Sequence, residues 1–291
     1  MAAKLPPTTD GPLLEWLFKA LAPMSRTSVK QVLKHGQVSV NGAVTTQFDH
    51  LLKAGDVVAI GKAKKPDPLA ETLAKAGMPI VHLDRDLILI DKPAGLLTVE
   101  TDAEKADTAF AVLLECLAQH KLGRAFVVHR LDRGTSGLLL FARSEQARDT
   151  LQANWESVRK TYLAVVAGTP RQPEGTIRNY LTEGTDFKVR ATSTESPNAK
   201  LAVTHYKVKS APGRRFALIE VGLETGRKHQ IRVHLAGLGC PVIGDSTYGS
   251  KRSPADRMGL HAWKLSFDHP GTGERVEFES PLPKVLKQVI G

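Results

Sequence analysis

Thr161-Tyr162-Leu163-Ala164-Val165-Val166-Ala167 and Phe216-Ala217-Leu218-Ile219-Glu220-Val221-Gly222-Leu223 are apolar runs that read as strands. Ala199 to Val208 lies between them and Trp263 to Phe267 follows, and both read the same way. Only Lys228 to Leu238 intervenes with a clear helical pattern. Strand succeeding strand, rather than strict alternation with helices, predicts an α+β domain on a mixed, largely antiparallel sheet. Upstream, Leu87 to Asp91 is a further predicted strand and Thr108 to Lys121 a predicted helix, while Ser144 is placed to cap a helix running to Trp155.

The 291 residues, 42% of them hydrophobic, suffice for one large core with a small satellite domain. Gly and Pro are scattered, which excludes a low-complexity or fibrous chain. Forty Lys and Arg against thirty Asp and Glu give a net charge of +10, a surplus that suits a polyanionic partner such as nucleic acid but also simple solubility. Residues 1–65 hold nine basic and four acidic side chains, so half of the excess sits in less than a quarter of the chain. Cys116 and Cys240 are far apart, with neither disulfide nor zinc spacing. With no signal-peptide core and no run near the roughly 20 apolar residues of a membrane span, the expectation is a cytoplasmic monomer with no membrane attachment.

In the basic N-terminal stretch, Leu13 to Leu21 is amphipathic and Ser25 can cap a helix through His35, ended by Gly36. Val29, Val32 and Leu33 supply its apolar stripe, and Arg26, Lys30 and Lys34 share one flank. Val38 and Val40 then lead to Asn41-Gly42, a type I′ turn signal, with Val44 on the return strand and a second turn at Gly55-Asp56. Residues 11–61 therefore make a small α+β unit. Lys62-Ala-Lys-Lys-Pro-Asp-Pro68 carries two prolines and reads as the start of a linker over 62–78, with the larger domain on 79–291.

The usual signatures of hydrolases and cofactor enzymes fail. Gly134-Thr135-Ser136-Gly137 is followed by Leu138, so it is no nucleophile elbow, and neither phosphate-loop nor dinucleotide glycine spacing occurs. His229 and His234 are spaced five apart rather than four, and no metal or cofactor is expected. What stands out is a charged segment, His129-Arg130-Leu131-Asp132-Arg133, set between the apolar runs Ala125–Val128 and Leu138–Phe141. Burying its charges unpaired would cost several kcal/mol, so each must find a partner or line a cleft. On spacing alone, an ion-paired turn accounts for the segment at least as well as catalysis does.

The residues from His129 to Gly137 resemble the active-site motif of the RluA-type pseudouridine synthases. Further blocks resemble that family in the same order: Leu89 to Gly95, Lys160 to Gly168, Glu224 to Leu235, Gly244 to Gly249 and Leu260 to Ala262. Ser25 to Gly42 resembles the S4 RNA-binding module. The resemblance implies a pseudouridine synthase fold behind a small S4-like domain. It also implies a cofactor-free reaction in which uridine within RNA is cut from N1 and rejoined to the ribose through C5.

Asp132 matches the family's catalytic aspartate, whose carboxylate adds to C1′ or removes the C2′ proton. Arg227 is then expected as its cation and Tyr162 as the aromatic beside the target base, where stacking is the safer of its roles. Arg130 matches the arginine that fills the space left by the extruded uridine, with a structural ion pair as its alternative. Arg26, Lys30 and Lys34 are the expected RNA contacts of the S4-like unit, and ribosomal RNA is favoured over transfer RNA by analogy. The competing reading is a non-catalytic RNA-binding or ribosome-assembly factor.

Overall fold

The structure, a computed structural model, describes residues 3–5, 10–34, 36–61, 67–100, 107–249 and 253–291. The chain forms two units, Met1–Asp67 and Pro68–Gly291.

The smaller unit runs β1 (Ala3–Leu5), β2 (Gly11–Pro12), α1 (Leu13–Ala20), α2 (Arg26–Lys34), β3 (Val38–Val40), β4 (Ala43–Val44), β5 (Leu51–Leu52) and β6 (Val58–Ile60). Four of its strands pair in the order β1-β6-β3-β4. Leu13 and Leu17 of α1 meet Val29 and Leu33 of α2, each pair four residues apart on one face, over Val38, Val40 and Val58. Ser25 Oγ accepts the Ser28 N–H at 3.2 Å, which makes it the predicted cap of α2, while His35 lies outside the described residues. Asn41 and Gly42 both take left-handed backbone, φ 53° and 86°, as the two-residue turn between β3 and β4 requires. Arg26, Lys30 and Lys34 are exposed.

The larger unit follows with α3 (Pro68–Lys75), β7 (Ile80–Leu83), β8 (Leu87–Lys92), α4 (Ala109–Gln119), β9 (Phe126–Val127), β10 (Ser136–Ala142), α5 (Glu145–Ala153) and β11 (Arg159–Ala167). It continues through β12 (Glu174–Glu183), β13 (Val189–Thr192), β14 (Ala199–Ser210), β15 (Phe216–Leu223), α6 (Gln230–Gly237), β16 (Leu260–Asp268), β17 (Arg275–Glu279) and α7 (Lys284–Val289). These strands form one 11-stranded sheet, β13-β12-β14-β15-β11-β16-β10-β8-β7, with β17 on β16 and β9 on β10. The β10–β16 pair is parallel and the other pairings within the sheet are antiparallel, as the strand-after-strand sequence predicts.

Both faces of the central strands are covered, because their apolar runs send alternate residues to opposite sides. Ile88, Ile90, Leu139 and Phe141 pack under α3 and α4, whereas Leu87, Leu89, Leu138 and Leu140 pack against α5. Gly137 stands where β10 meets β16. It has φ 109°, and a Cβ there would lie 2.2 Å from the Ala262 carbonyl oxygen, so only glycine lets the two strands join beside the charged turn.

The predicted linker over 62–78 is corrected here. Residues 62–66 lie outside the described residues, but Pro68 opens helix α3, where a missing N–H costs nothing. Leu69, Leu73 and Met78 are buried in the core of the larger unit, so the division falls at Asp67–Pro68 rather than near residue 78.

Candidate active site

Asp132 sits on the connection between β9 and β10, at the wall of a cleft of about 1140 Å³ that is also lined by Arg130, Tyr162, Arg227, His229 and Arg232. The connection is held from beneath. Buried Thr98 donates through Oγ1 to the Leu131 carbonyl at 2.9 Å and accepts the Leu131 N–H at 3.1 Å. Lys92 is fully buried at the end of β8 and donates through Nζ to the carbonyls of Pro93, Leu96 and Arg133 at 2.8, 2.7 and 3.4 Å. Burial brings its ammonium down to about 7, with the charge of Arg257 adding to that and Asp132 opposing it. The Leu89–Gly95 block of the sequence is thus the platform of the turn that carries Asp132.

His129 is part of the scaffold. Its Nε2 accepts the Leu140 N–H at 3.0 Å and its ring stacks on Trp155 at 4.8 Å. Burial drives it down to about 3, so it is uncharged at neutral pH.

The cation on Asp132 is Arg232, and this corrects the expectation of Arg227. Arg232 Nη1 donates to Asp132 Oδ2 at 3.1 Å, while Nε and Nη2 grip both oxygens of Asp245 at 2.7 and 2.9 Å. Asp245 is buried, is held below the usual carboxylate range by Arg232 against the pull of burial, and also accepts the N–H groups of Thr247 and Tyr248. One guanidinium therefore spans two carboxylates, a task that needs its planar fork. Arg227 lies on the turn before α6, exposed, and donates through Nε to the Leu201 carbonyl at 3.0 Å. It reaches the cleft wall but not Asp132. The turn itself is fastened by Gln230, which accepts from the Arg227 N–H and the Thr225 hydroxyl and donates to the Val203 carbonyl. A sequence signal for Arg232 exists: an arginine between Ile231 and Val233 on a buried helix must be paired.

Arg130 is exposed at the cleft and, among the described residues, has no ion pair, so the structural ion pair weighed against its RNA role is not formed. Tyr162, on β11, bridges two clusters of the core with its ring at the cleft. Burial, and then the charge of Asp132, push its phenol well above the ordinary value, so it remains protonated. Among the described residues nothing hydrogen-bonds Asp132 Oδ1, which leaves one carboxylate oxygen anchored and one open.

A family model described as RNA pseudouridylate synthase matches residues 86–237. The chain is 36% identical over 273 residues to the uncharacterized RNA pseudouridine synthase YlyB of Bacillus subtilis, across 91% of this chain and 88% of that one. It is 34% identical over 296 residues to the ribosomal large subunit pseudouridine synthase D of Vibrio cholerae, across 94% and 90% of the two chains. Among solved structures, human RNA pseudouridylate synthase domain containing 4 aligns with a TM-score of 0.61 at 27% identity, over 75% of this chain and 93% of that one. The chain belongs to the RNA pseudouridylate synthase family, and its activity is the isomerisation of uridine in RNA. Among the described residues, no helix is long and apolar enough to cross a membrane.

Proposed function

We propose that this enzyme modifies ribosomal RNA in the cytoplasm, with Asp132 acting at the ribose of a uridine drawn out of its stack. The observation that carries the reading is the asymmetry of one carboxylate on the cleft wall: Oδ2 is anchored by Arg232, and Oδ1 accepts no hydrogen bond among the described residues. A carboxylate oxygen at that place meets C1′, or the C2′ hydrogen, as the N1–C1′ bond breaks. The uracil then turns and C5 bonds to C1′ as the Asp132 oxygen leaves it, or as C2′ regains its proton from Asp132; the C5 proton is lost and N1 gains one. Product and substrate are isomers, and the balance needs no other reagent.

Arg130, exposed and unpaired among the described residues, enters the gap left by the extruded base. Tyr162 offers its ring to the base; a phenol held protonated is a poor proton acceptor, so packing is its role. Arg227 serves as a phosphate or base contact on the cleft wall. The smaller unit works as an S4-like clamp through Arg26, Lys30 and Lys34, exposed on one flank of α2. The ribosomal assignment draws on the printed function of the Vibrio cholerae relative. Asp132→Asn tests the chemistry: the purified variant is expected to keep its fold and its RNA affinity and to form no pseudouridine. Pseudouridine mapping of RNA from cells with and without the protein tests the substrate, and a site that disappears from transfer RNA alone would overturn the ribosomal assignment.

A further inference from the structure

Two side chains, His229 at the cleft and Tyr248 bonded to it, carry none of the roles assigned above, and His229 faces Asp132. The Val189 N–H of β13 donates to Tyr248 Oη at 2.9 Å, and the same oxygen lies 2.8 Å from His229 Nδ1. Because the phenol already accepts from Val189, its own proton goes to Nδ1, and this network assigns the imidazole proton to Nε2. Nε2 stands 3.9 Å from Asp132 Oδ2, the oxygen that Arg232 holds at 3.1 Å. Tyr248 also packs under Arg232, whose Cζ is 5.0 Å from the ring centroid, so one phenol supports both groups that face Oδ2. Burial keeps the imidazole below its ordinary value, against the pull of Asp132, and therefore neutral.

We propose that His229 is a positioning residue: its Nε2–H, set by Tyr248, closes onto Asp132 Oδ2 when RNA binds and thereby commits Oδ1 to the ribose. The inference rests on the role given to Asp132 above. A carboxylate tied by a single N–H can rotate about Cβ–Cγ and exchange its oxygens. A second donor, arriving at the same oxygen from another direction, stops that rotation. At 3.9 Å the two atoms stand beyond hydrogen-bond distance, and hydrogen bonds of this kind commonly tighten only in the complex with substrate. A neutral donor fixes the oxygen while withdrawing less charge from the carboxylate than a second cation would.

A purely structural role for His229 is also visible, since its backbone is left-handed at φ 56° where the chain enters α6. Two substitutions separate the roles. Asn is the side chain that best tolerates left-handed backbone, and its amide nitrogen falls where Nδ1 was; the Gln amide nitrogen falls where Nε2 was. The assay is single-turnover tritium release from C5-labelled uridine in large-subunit ribosomal RNA purified from cells lacking the protein.

His229→Asn is expected to melt at or above the temperature of His229→Gln, yet to react about 10- to 100-fold more slowly than wild type with RNA affinity retained, as loss of a hydrogen bond to a charged group implies. His229→Gln should recover most of that rate. Tyr248→Phe should slow the wild type, and should cost much less on the His229→Gln background, where an amide donor needs no tautomer choice; packing lost with the phenol cancels in this cycle. Wild-type rate in His229→Asn, equal rates for Asn and Gln, or an equal cost of Tyr248→Phe on both backgrounds would overturn the inference. Product formation by Asp132→Asn would instead remove the reading of Asp132 beneath it.

Discussion

The two basic regions of this enzyme use charge in opposite ways. Around Asp132, Arg232 is 8% exposed and every nitrogen of its guanidinium is bonded to a carboxylate. On α2 of the smaller unit, Arg26, Lys30 and Lys34 are exposed, and Arg26 lies over the Phe18 ring at 5.0 Å. Buried charge must be paired in place before substrate arrives, which fixes geometry. Exposed charge keeps its counterions until RNA displaces them, which supplies affinity with little geometric demand.

The largest effect expected from breaking this contrast is at Arg232. Replacing it with Met removes the cation from Asp245, which is 1% exposed, and breaking a buried pair from one side costs about 3–5 kcal/mol. Denaturant unfolding should show that loss, together with loss of turnover. Arg232→Lys keeps a charge but cannot span two carboxylates, so it should recover more stability than activity. Arg227→Met, by contrast, should leave the unfolding midpoint near that of wild type, because the side chain is exposed and, among the described residues, bonds through one nitrogen.

A smaller effect is expected at His129 and depends on pH. Its value in the folded chain is about 3 against 6.5 for an unperturbed imidazole, so the unfolded chain binds the extra proton between those limits. The associated stability is complete above pH 6.5 and is lost as pH falls toward 3. At pH 5 the loss through this residue is on the order of 2 kcal/mol, since one unit of displacement is worth about 1.4. His129→Gln keeps an acceptor for the Leu140 N–H and does not titrate, so its melting temperature should fall less between pH 7 and pH 5 than that of wild type. An equal fall in both proteins would show that the imidazole is charged in the fold.

The same contrast explains what the sequence discloses. Local grammar was enough for part of the smaller unit, though not for its strands β1, β2 and β5: Ser25 caps α2 and Asn41-Gly42 turns β3 into β4 because each acts on its own backbone. In the larger unit the apolar runs forecast β8, β11, β14 and β15: β8 and β11 are buried along most of their length and need apolar residues there, while β14 and β15 keep enough of them on their buried positions to be read. β12 escaped because of its makeup, Glu174-Gly-Thr-Ile-Arg-Asn-Tyr-Leu-Thr-Glu183, in which Leu181 alone is buried. The alternation of Val276 and Phe278 in β17 is a strand signal of the ordinary half-buried kind. α3 was hidden by the prolines before it, which suit a linker and a helix start equally well. At the site, Asp132 was legible as a charge between two apolar runs. Its partner was not, because a hundred residues of chain separate Asp132 from Arg232 and only the meeting of α6 with the β9–β10 turn brings them together.

The smallest expected effect belongs to the exposed region, and it is measured in salt rather than in stability. Each cation that neutralises a phosphate releases condensed counterions and adds nearly one unit to the slope of log affinity against log salt. Replacing Arg26, Lys30 and Lys34 together by Gln should lower that slope by about 2–3 if all three contact phosphates, with weaker binding to every RNA tested rather than to one sequence. Because all three side chains are exposed and α2 is anchored by Val29 and Leu33 on its other face, the triple variant should unfold at the wild-type midpoint. A changed midpoint would mean that these charges stabilise the fold, and an unchanged slope that the unit grips RNA elsewhere. A shallower slope at constant stability is the outcome that only a solvated, RNA-facing flank can give.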